Sequence, residues 1–326
     1  MTIIAESQEL KNIIAQIDRI ASILYTDRCS SSDTCVSQWQ RSHVLISGET
    51  GVGKEVFGMY LAKQIVGPSF SEDTDVVIEN CATLNNEIAD SLLFGHEAGA
   101  FTGAVKQSRG LIETANGKIL ILDEIDKLSP PLQAKLLRFL ETSKFKRLGG
   151  CSNILQSRCV VIAMGVNISL MAKDLYYRFA HRISIPPLRE RREDIIPLFK
   201  QYLRRQDSVK IGKDIASLLE AHSWPGNVRE IRNLCDRLSI YDTVDAGTVF
   251  RLIDRPENSD EIKESTLEGK TLEEIEKLAI VSALRKYDFV QQDAASALGI
   301  SSRVMSYKVR QHGIKRADEN EFALAG

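Results

Sequence analysis

Apolar residues recur every three or four positions across residues 6–24, ESQELKNIIAQIDRIASIL, and that spacing predicts an amphipathic helix. A polar stretch from Thr26 to Ser42 follows. Five short runs rich in Val, Ile and Leu come next: HVLIS from 43, DVVIE from 75, KILILDE from 118, CVVIAM from 159 and RISIP from 182. Each has the length of a strand, and the gaps leave room for helices such as Glu55 to Val66 and Pro131 to Glu141. The pattern predicts an α/β fold with a parallel sheet and helical crossovers. From Pro186 onward the period is helical without strand runs, which predicts a smaller helical domain. The reading divides the chain into an α/β part (1–185), a helical part (186–253), a polar linker (254–270), a helical end (271–316) and a loose tail (317–326).

A chain of 326 residues is long enough for two or three domains. Charged residues make up 26% and the formal net charge is -2, so the whole chain is neither a polyanion nor a basic coat for nucleic acid. Any DNA-binding surface is local. The start, MTIIAESQEL, has no basic region and no long apolar core, which argues for a cytoplasmic protein without a membrane span. Its six cysteines are then expected as reduced thiols. Cys29 and Cys35 lie close together, but their spacing fits no standard zinc pattern and reads as a solvated loop.

LISGETGVGKE places Gly48, Gly53 and Lys54 at the spacing of a Walker A phosphate loop, after a strand and before a helix. The N–H groups of Gly48, Glu49, Thr50, Gly51, Val52 and Gly53 are placed to cradle nucleotide phosphates, with Lys54 reaching the outer ones. Glu55 stands where the generic pattern has the Ser or Thr that ligates magnesium. ILILDEI ends a strand on Asp123 and Glu124, the form of a Walker B element. There Asp123 would hold magnesium and Glu124 would polarise the attacking water. ATP and Mg2+ are the implied cofactors. Either motif alone arises by chance; both in their strand contexts point to nucleotide binding.

Between these motifs lies Gly99-Ala100-Phe101-Thr102-Gly103-Ala104. Small residues surround one aromatic and one hydroxyl, so Phe101 is expected to project from a mobile turn with few neighbours. At the C-terminal end, a helix of about Val290 to Leu298 ends at Gly299, and Ser301 is placed to cap a further helix running to about His312. That outline is a helix-turn-helix. Met305 and Val309 are expected inward, while Ser302, Arg303, Ser306, Tyr307, Lys308 and Arg310 are expected to face DNA.

Taken together, GETGVGKE, LLFGHEAGAFTGA, LDEI, LQAKLLRFLE, DLYYRF, PPLRERREDI and WPGNVREIRN, in that order, resemble the sigma-54-dependent transcription activators, bacterial enhancer-binding proteins of the AAA+ class. The end of the chain looks like a Fis-type helix-turn-helix. The resemblance implies an AAA+ P-loop sheet with a helical lid, a homo-oligomer that is commonly a hexameric ring, and binding to enhancer DNA. It also implies ATP-driven remodelling of closed complexes of sigma-54 RNA polymerase holoenzyme, contacted through residues 99–104. By the same resemblance Asn80 pairs with Glu124, Arg178 is an arginine finger reaching a neighbouring subunit, and Arg229 is the sensor II arginine. The family tolerates Glu at position 55.

Two features depart from the family pattern. The sensor I segment reads VVIAMGVNISLMAKDLYYRF, where Asn167 serves if the strand end bulges by one residue and Val166 aligns otherwise. The following segment is short, implying a trimmed surface loop, and Ala172 stands where another arginine is common. These features keep open a regulator that binds ATP to oligomerise but hydrolyses it poorly. The first helix begins within a few residues of Met1, so control by a regulatory protein in trans, or by the protein's own abundance, is expected.

Overall fold

The computed structural model describes residues 3–29, 43–83, 86–150, 153–203, 211–241 and 244–253, and, toward the C-terminus, 271, 276–277, 279–281, 283–284, 287, 290–312 and 314. The chain divides into two compact units, Met1–Asp254 and Arg255–Gly326. The stretch read as a linker and the region around Cys35 lie outside the described residues.

Five parallel strands form the sheet of the first unit: β1 (Val44–Ser47), β2 (Val76–Asn80), β3 (Ile119–Asp123), β4 (Val160–Gly165) and β5 (His181–Ser184). Their spatial order is β2-β3-β4-β1-β5. Both faces are covered, which is why the strands read as continuous apolar runs rather than as alternating ones. Leu45, Leu120, Leu122, Val161 and Ala163 point to one face, against α3 (Asn86–Phe94), α4 (Pro130–Thr142) and α5 (Lys173–Arg178). Val44, Ile46, Ile119, Ile121, Ile162 and Met164 point to the other, against α1 (Gln8–Cys29) and α2 (Lys54–Val66). The period of two within each strand assigns those faces.

Helix α1 runs beyond Leu24, where the apolar pattern fades, to Cys29. No Gly or Pro interrupts that stretch, so nothing in the sequence breaks the hydrogen-bond ladder there. Its start is fixed by the buried Asp194, which accepts from Glu6 N (2.6 Å), Ser7 N (2.9 Å) and Ser7 Oγ (2.7 Å). No helix among the described residues is long and apolar enough to cross a membrane.

A helical layer follows the sheet: α6 (Ile195–Tyr202), α7 (Lys213–Ala221), α8 (Asn227–Leu238) and α9 (Ala246–Ile253). These helices pack around Trp224, which is fully buried and donates Nε1–H to the Leu219 carbonyl at 2.8 Å. In the second unit, α10 (Gln291–Ala297) and α11 (Ser302–Gln311) close over Met305 and the Ala294–Ala295 pair. Gly299 takes φ +65° between them, and Ser301 Oγ accepts from Val304 N at 3.3 Å. The turn and cap are therefore those the sequence predicts.

Candidate active site

The phosphate loop joins β1 to α2, and its glycines take backbone angles that side chains disfavour: φ +79° at Gly51 and +100° at Gly53. At Gly51 a Cβ would also lie 2.3 Å from the Gly226 carbonyl oxygen. At Gly53 the corresponding space is open. Lys54 is buried, and its Nζ donates to the carbonyls of Gly48 (2.9 Å) and Glu49 (3.0 Å). Burial pulls its pKa below the ordinary lysine value, while the charges of Asp123, Asp126 and Glu124 pull the other way. Glu55 is exposed on the first turn of α2.

Strand register sets the opposite wall. Asn80 lies beside Asp123 across β2 and β3. Asp123 accepts from Glu124 N at 2.9 Å, and Glu124 itself takes φ +50°, a strained backbone for a glutamate at a strand end. The Asn80 side-chain oxygen accepts from Ala82 N at 2.9 Å, so here it closes a local turn rather than meeting Glu124. Asp126, buried and not singled out in the sequence, accepts from Val166 N (3.1 Å) and Asn167 N (3.3 Å). It thereby ties the acidic strand end to the end of β4.

The Asn167 side chain closes a local turn: its oxygen accepts from Ser169 N (3.3 Å) and Ser169 Oγ (2.5 Å). β4 ends at Gly165 without a bulge, so Val166 lines the groove beside Gly48 and Glu49. Arg178 donates through Nε and Nη2 to the Leu140 carbonyl, at 3.2 and 2.9 Å, at the C-terminal end of α4. Ala172 is exposed just before α5.

The helical layer seats directly on the phosphate loop. Val228 N and Arg229 N both donate to the Gly51 carbonyl, at 3.0 and 3.3 Å, which brings Arg229 beside Gly51 and within electrostatic reach of Lys54. Asn227, fully buried at φ +53°, donates to Glu49 and to the Thr50 carbonyl (3.1 Å each) and accepts from Leu188 N at 2.7 Å. Glu49 also receives both Nη atoms of Arg189 (2.6 and 2.9 Å), and these hydrogen bonds hold its carboxyl below the usual range. Arg191 is buried and donates to the Val52 carbonyl at 2.9 Å. Glu49 thus works through its side chain as a clamp for the helical layer. Asn227, Arg189 and Arg191 escaped residue-by-residue reading; only their places in WPGN and PPLRER signalled them.

Residues 99–104 cap a hairpin whose foot pairs Gly95–His96 with Ser108–Arg109. Gly99 N donates to the Ala104 carbonyl at 2.8 Å, closing the loop, and Gly99 and Gly103 take φ of +81° and +101°. Thr102 is exposed and Ala104 buried. Phe101 is 47% exposed, and it does have a neighbour: the His96 ring, edge-on at 5.0 Å. A second hairpin, Lys144–Phe145 with Leu155–Gln156, is joined to this foot by Arg147, which bonds Glu113 through Nε and Nη2 and Glu97 through Nη1 at 2.8–3.0 Å.

In the second unit Ser302, Arg303, Tyr307 and Arg310 are exposed on α11. Ser306 donates to Gln291 at 2.8 Å. Lys308 departs from the expectation of a free basic contact: its Nζ lies 2.8 Å from Glu276, whose carboxyl it holds below the usual range. The helical pattern of α11 could not show that partner, which lies on a preceding segment.

The donor set fits a nucleotide with a hard cation. The open side of Gly53 leaves room for close approach of a phosphate, and Asp123 and Glu124 face Lys54 across it. Among the described residues no group of three or more His, Cys, Asp or Glu could hold a metal ion. Cys81, beside Asn80, is buried and its thiol is pushed up to about 12, first by burial and then by nearby carboxylates.

Sequence models of known families match in the same order as these structures: a Sigma-54 interaction domain over residues 3–185, an AAA+ ATPase lid domain over 189–268, and a bacterial regulatory protein domain of the Fis family over 271–312. The chain belongs to the sigma-54-dependent transcriptional activator family. Regulatory protein AtoC of Escherichia coli (strain K12) is 36% identical over 313 residues, covering 88% of this chain and 66% of AtoC. Nitrogen fixation protein AnfA of Azotobacter vinelandii is 35% identical over 301 residues, covering 87% of this chain and 55% of AnfA. The chain thus spans 55–66% of these two relatives of the activator family. NtrX of Brucella abortus, solved with ATP, shares the fold with a TM-score of 0.61 at 24% identity, covering 96% of this chain and 70% of NtrX. The activator family's lid and Fis-type domains account for the helical layer and the second unit.

Proposed function

We propose that this chain is an ATP-hydrolysing activator that binds enhancer DNA and remodels closed complexes of sigma-54 RNA polymerase. The observation that carries the reading is the joining of three parts around Lys54: the Gly48–Gly53 loop, the Asp123–Glu124 strand end, and the lid contact through Arg229 and Asn227. When bound, ATP with Mg2+ supplies the transferable phosphoryl group. The N–H groups of residues 48–53 would bind its phosphates, Lys54 would reach the outer phosphate oxygens, and Asp123 would hold the cation. Glu124 orients and polarises the water.

Arg178, hydrogen-bonded at the C-terminal end of α4, would complete a neighbouring copy's site in a homo-oligomeric, hexameric ring, where a guanidinium offsets developing charge. Residues 99–104 would touch sigma-54, and Ser302, Arg303, Ser306, Tyr307 and Arg310 would face DNA. The NtrX complex with ATP, on the same fold, supports the choice of nucleotide.

A second reading, a DNA-binding regulator that binds ATP to assemble and turns it over slowly, draws on Val166 lining the groove and on Ala172. In vitro transcription from a sigma-54 promoter, with ATP or a non-hydrolysable analogue, separates the two. Activation with ATP alone is expected; equal activation with the analogue refutes the remodelling role.

A further inference from the structure

The hairpin that carries Phe101 is held by more than its backbone. His96 stands at its foot, and both ring nitrogens are engaged: Nδ1 lies 2.7 Å from Ser91 Oγ on α3, and Nε2 lies 3.0 Å from the Lys106 carbonyl on the returning limb. A carbonyl only accepts, so the ring donates from Nε2, while Nδ1 pairs with the Ser91 hydroxyl, which can donate or accept. The imidazole is thereby fixed between α3 and the returning limb.

That fixed ring meets Phe101 edge-to-face, with centroids 5.0 Å apart and planes at 67°, a favoured aromatic geometry. Among the described residues it is the one aromatic ring against Phe101. On either side of Phe101, Gly99 and Gly103 sit at positive φ with nothing within 4 Å of a missing Cβ. Backbone pivots therefore flank the side chain, and neither is sterically locked.

We infer that His96 is a positioning residue for the loop: its ring holds Phe101 down on the hairpin foot, and Phe101 must leave that ring before it presents its face to a partner. The inference rests on the proposed sigma-54 contact of residues 99–104. A single aromatic pair of this kind biases a two-position balance by roughly three- to tenfold. That is enough to set the resting position of the loop and too little to prevent its release.

The test uses the full chain carrying 4-fluorophenylalanine at position 101, read by fluorine NMR. His96→Gln keeps an N–H for the Lys106 carbonyl but removes the ring, whereas His96→Phe keeps a ring without the two hydrogen bonds. In the wild type the fluorine resonance should stand away from its unfolded position. His96→Gln should return it there with a narrower line and raise nucleotide-free sigma-54 affinity roughly three- to tenfold; His96→Phe should restore the displaced resonance. ATP hydrolysis by His96→Gln within about twofold of wild type confirms that the fold is intact. An unchanged fluorine resonance in His96→Gln, or a moved resonance with unchanged sigma-54 affinity, overturns the inference. If the resonance moves but neither protein binds sigma-54 with any nucleotide, the hold on Phe101 stands and the sigma-54 reading of the loop falls.

Discussion

Asn227 and Glu49, 178 residues apart in sequence, meet at 3.1 Å where the lid rests on the phosphate loop. Every polar group of the buried Asn227 side chain has a partner: Nδ2 serves Glu49 and the Thr50 carbonyl, and Oδ1 serves Leu188 N. Lid position and loop shape are therefore one variable. Asn227→Ala strands Leu188 N and removes the residue type best suited to φ +53°, for an expected loss of about 2–3 kcal/mol. Urea unfolding would measure it, and nucleotide affinity should fall with it. A variant with wild-type stability and affinity contradicts the clamp.

Lys54→Ala removes the ammonium that bridges the Gly48 and Glu49 carbonyls and faces Asp123. ATP turnover should drop at least about 100-fold, because the proposed role of Lys54 is to place a positive charge on the outer phosphates. A steady-state ATPase assay decides this, and near-normal turnover would mean that the site lies elsewhere.

Thr102→Ala should separate two activities. Thr102 is exposed at the hairpin tip and is not among the phosphate-loop or acidic strand-end residues, so ATP hydrolysis is expected within about threefold of wild type while open-complex formation is lost. Permanganate footprinting of the promoter reads the second quantity. Equal promoter melting by both proteins would remove the loop from the mechanism.

His43 predicts a pH dependence of stability. Burial, with the Arg178 charge second, lowers its pKa from 6.5 to about 3, and Nδ1 accepts from Val161 N at 3.2 Å. Between those values the unfolded chain binds a proton that the folded chain does not, so stability is full above pH 6.5 and declines as pH falls toward 3. The slope from this group is at most about 1.4 kcal/mol per pH unit. His43→Gln should flatten the stability profile between pH 6 and pH 4 relative to wild type; parallel profiles would assign the slope to other groups.

On α11, Arg303→Ala and Arg310→Ala should each weaken DNA binding and lower the salt slope by about 1, since both side chains are exposed. Lys308→Ala should change the slope less and the melting temperature more, because Lys308 is paired with Glu276. Salt titrations by fluorescence anisotropy, beside thermal melts, would show the contrast. A full unit of slope lost with Lys308 would return it to the DNA contacts.

Much of the site was legible where chemistry is local. Gly51 and Gly53, Lys54, and the Asp123–Glu124 pair are each fixed by a strand end or turn whose residues adjoin in sequence. The clamp was not legible, because Asn227, Arg189 and Arg191 acquire meaning only once the lid folds back over the phosphate loop. Asp126 is a similar case: an acid after an acidic pair looks solvated until β4 brings Val166 and Asn167 to it. Asn167 and Lys308 show the converse, since a polar side chain follows whichever partner is nearest, here Ser169 and Glu276.

The sequence by itself determined the elements, the parallel sheet, the helical lid, the capped helix-turn-helix and the positions of the phosphate loop and acidic strand end. Each depends on periodicity or on neighbouring residues, and both are written along the chain. Tertiary structure alone decided the order β2-β3-β4-β1-β5, the seating of Asn227 on Glu49 and the rest of Phe101 on His96. Those depend on which surfaces meet after burial, and a hydrogen bond or ring contact between distant residues leaves no periodic trace in the chain that makes it.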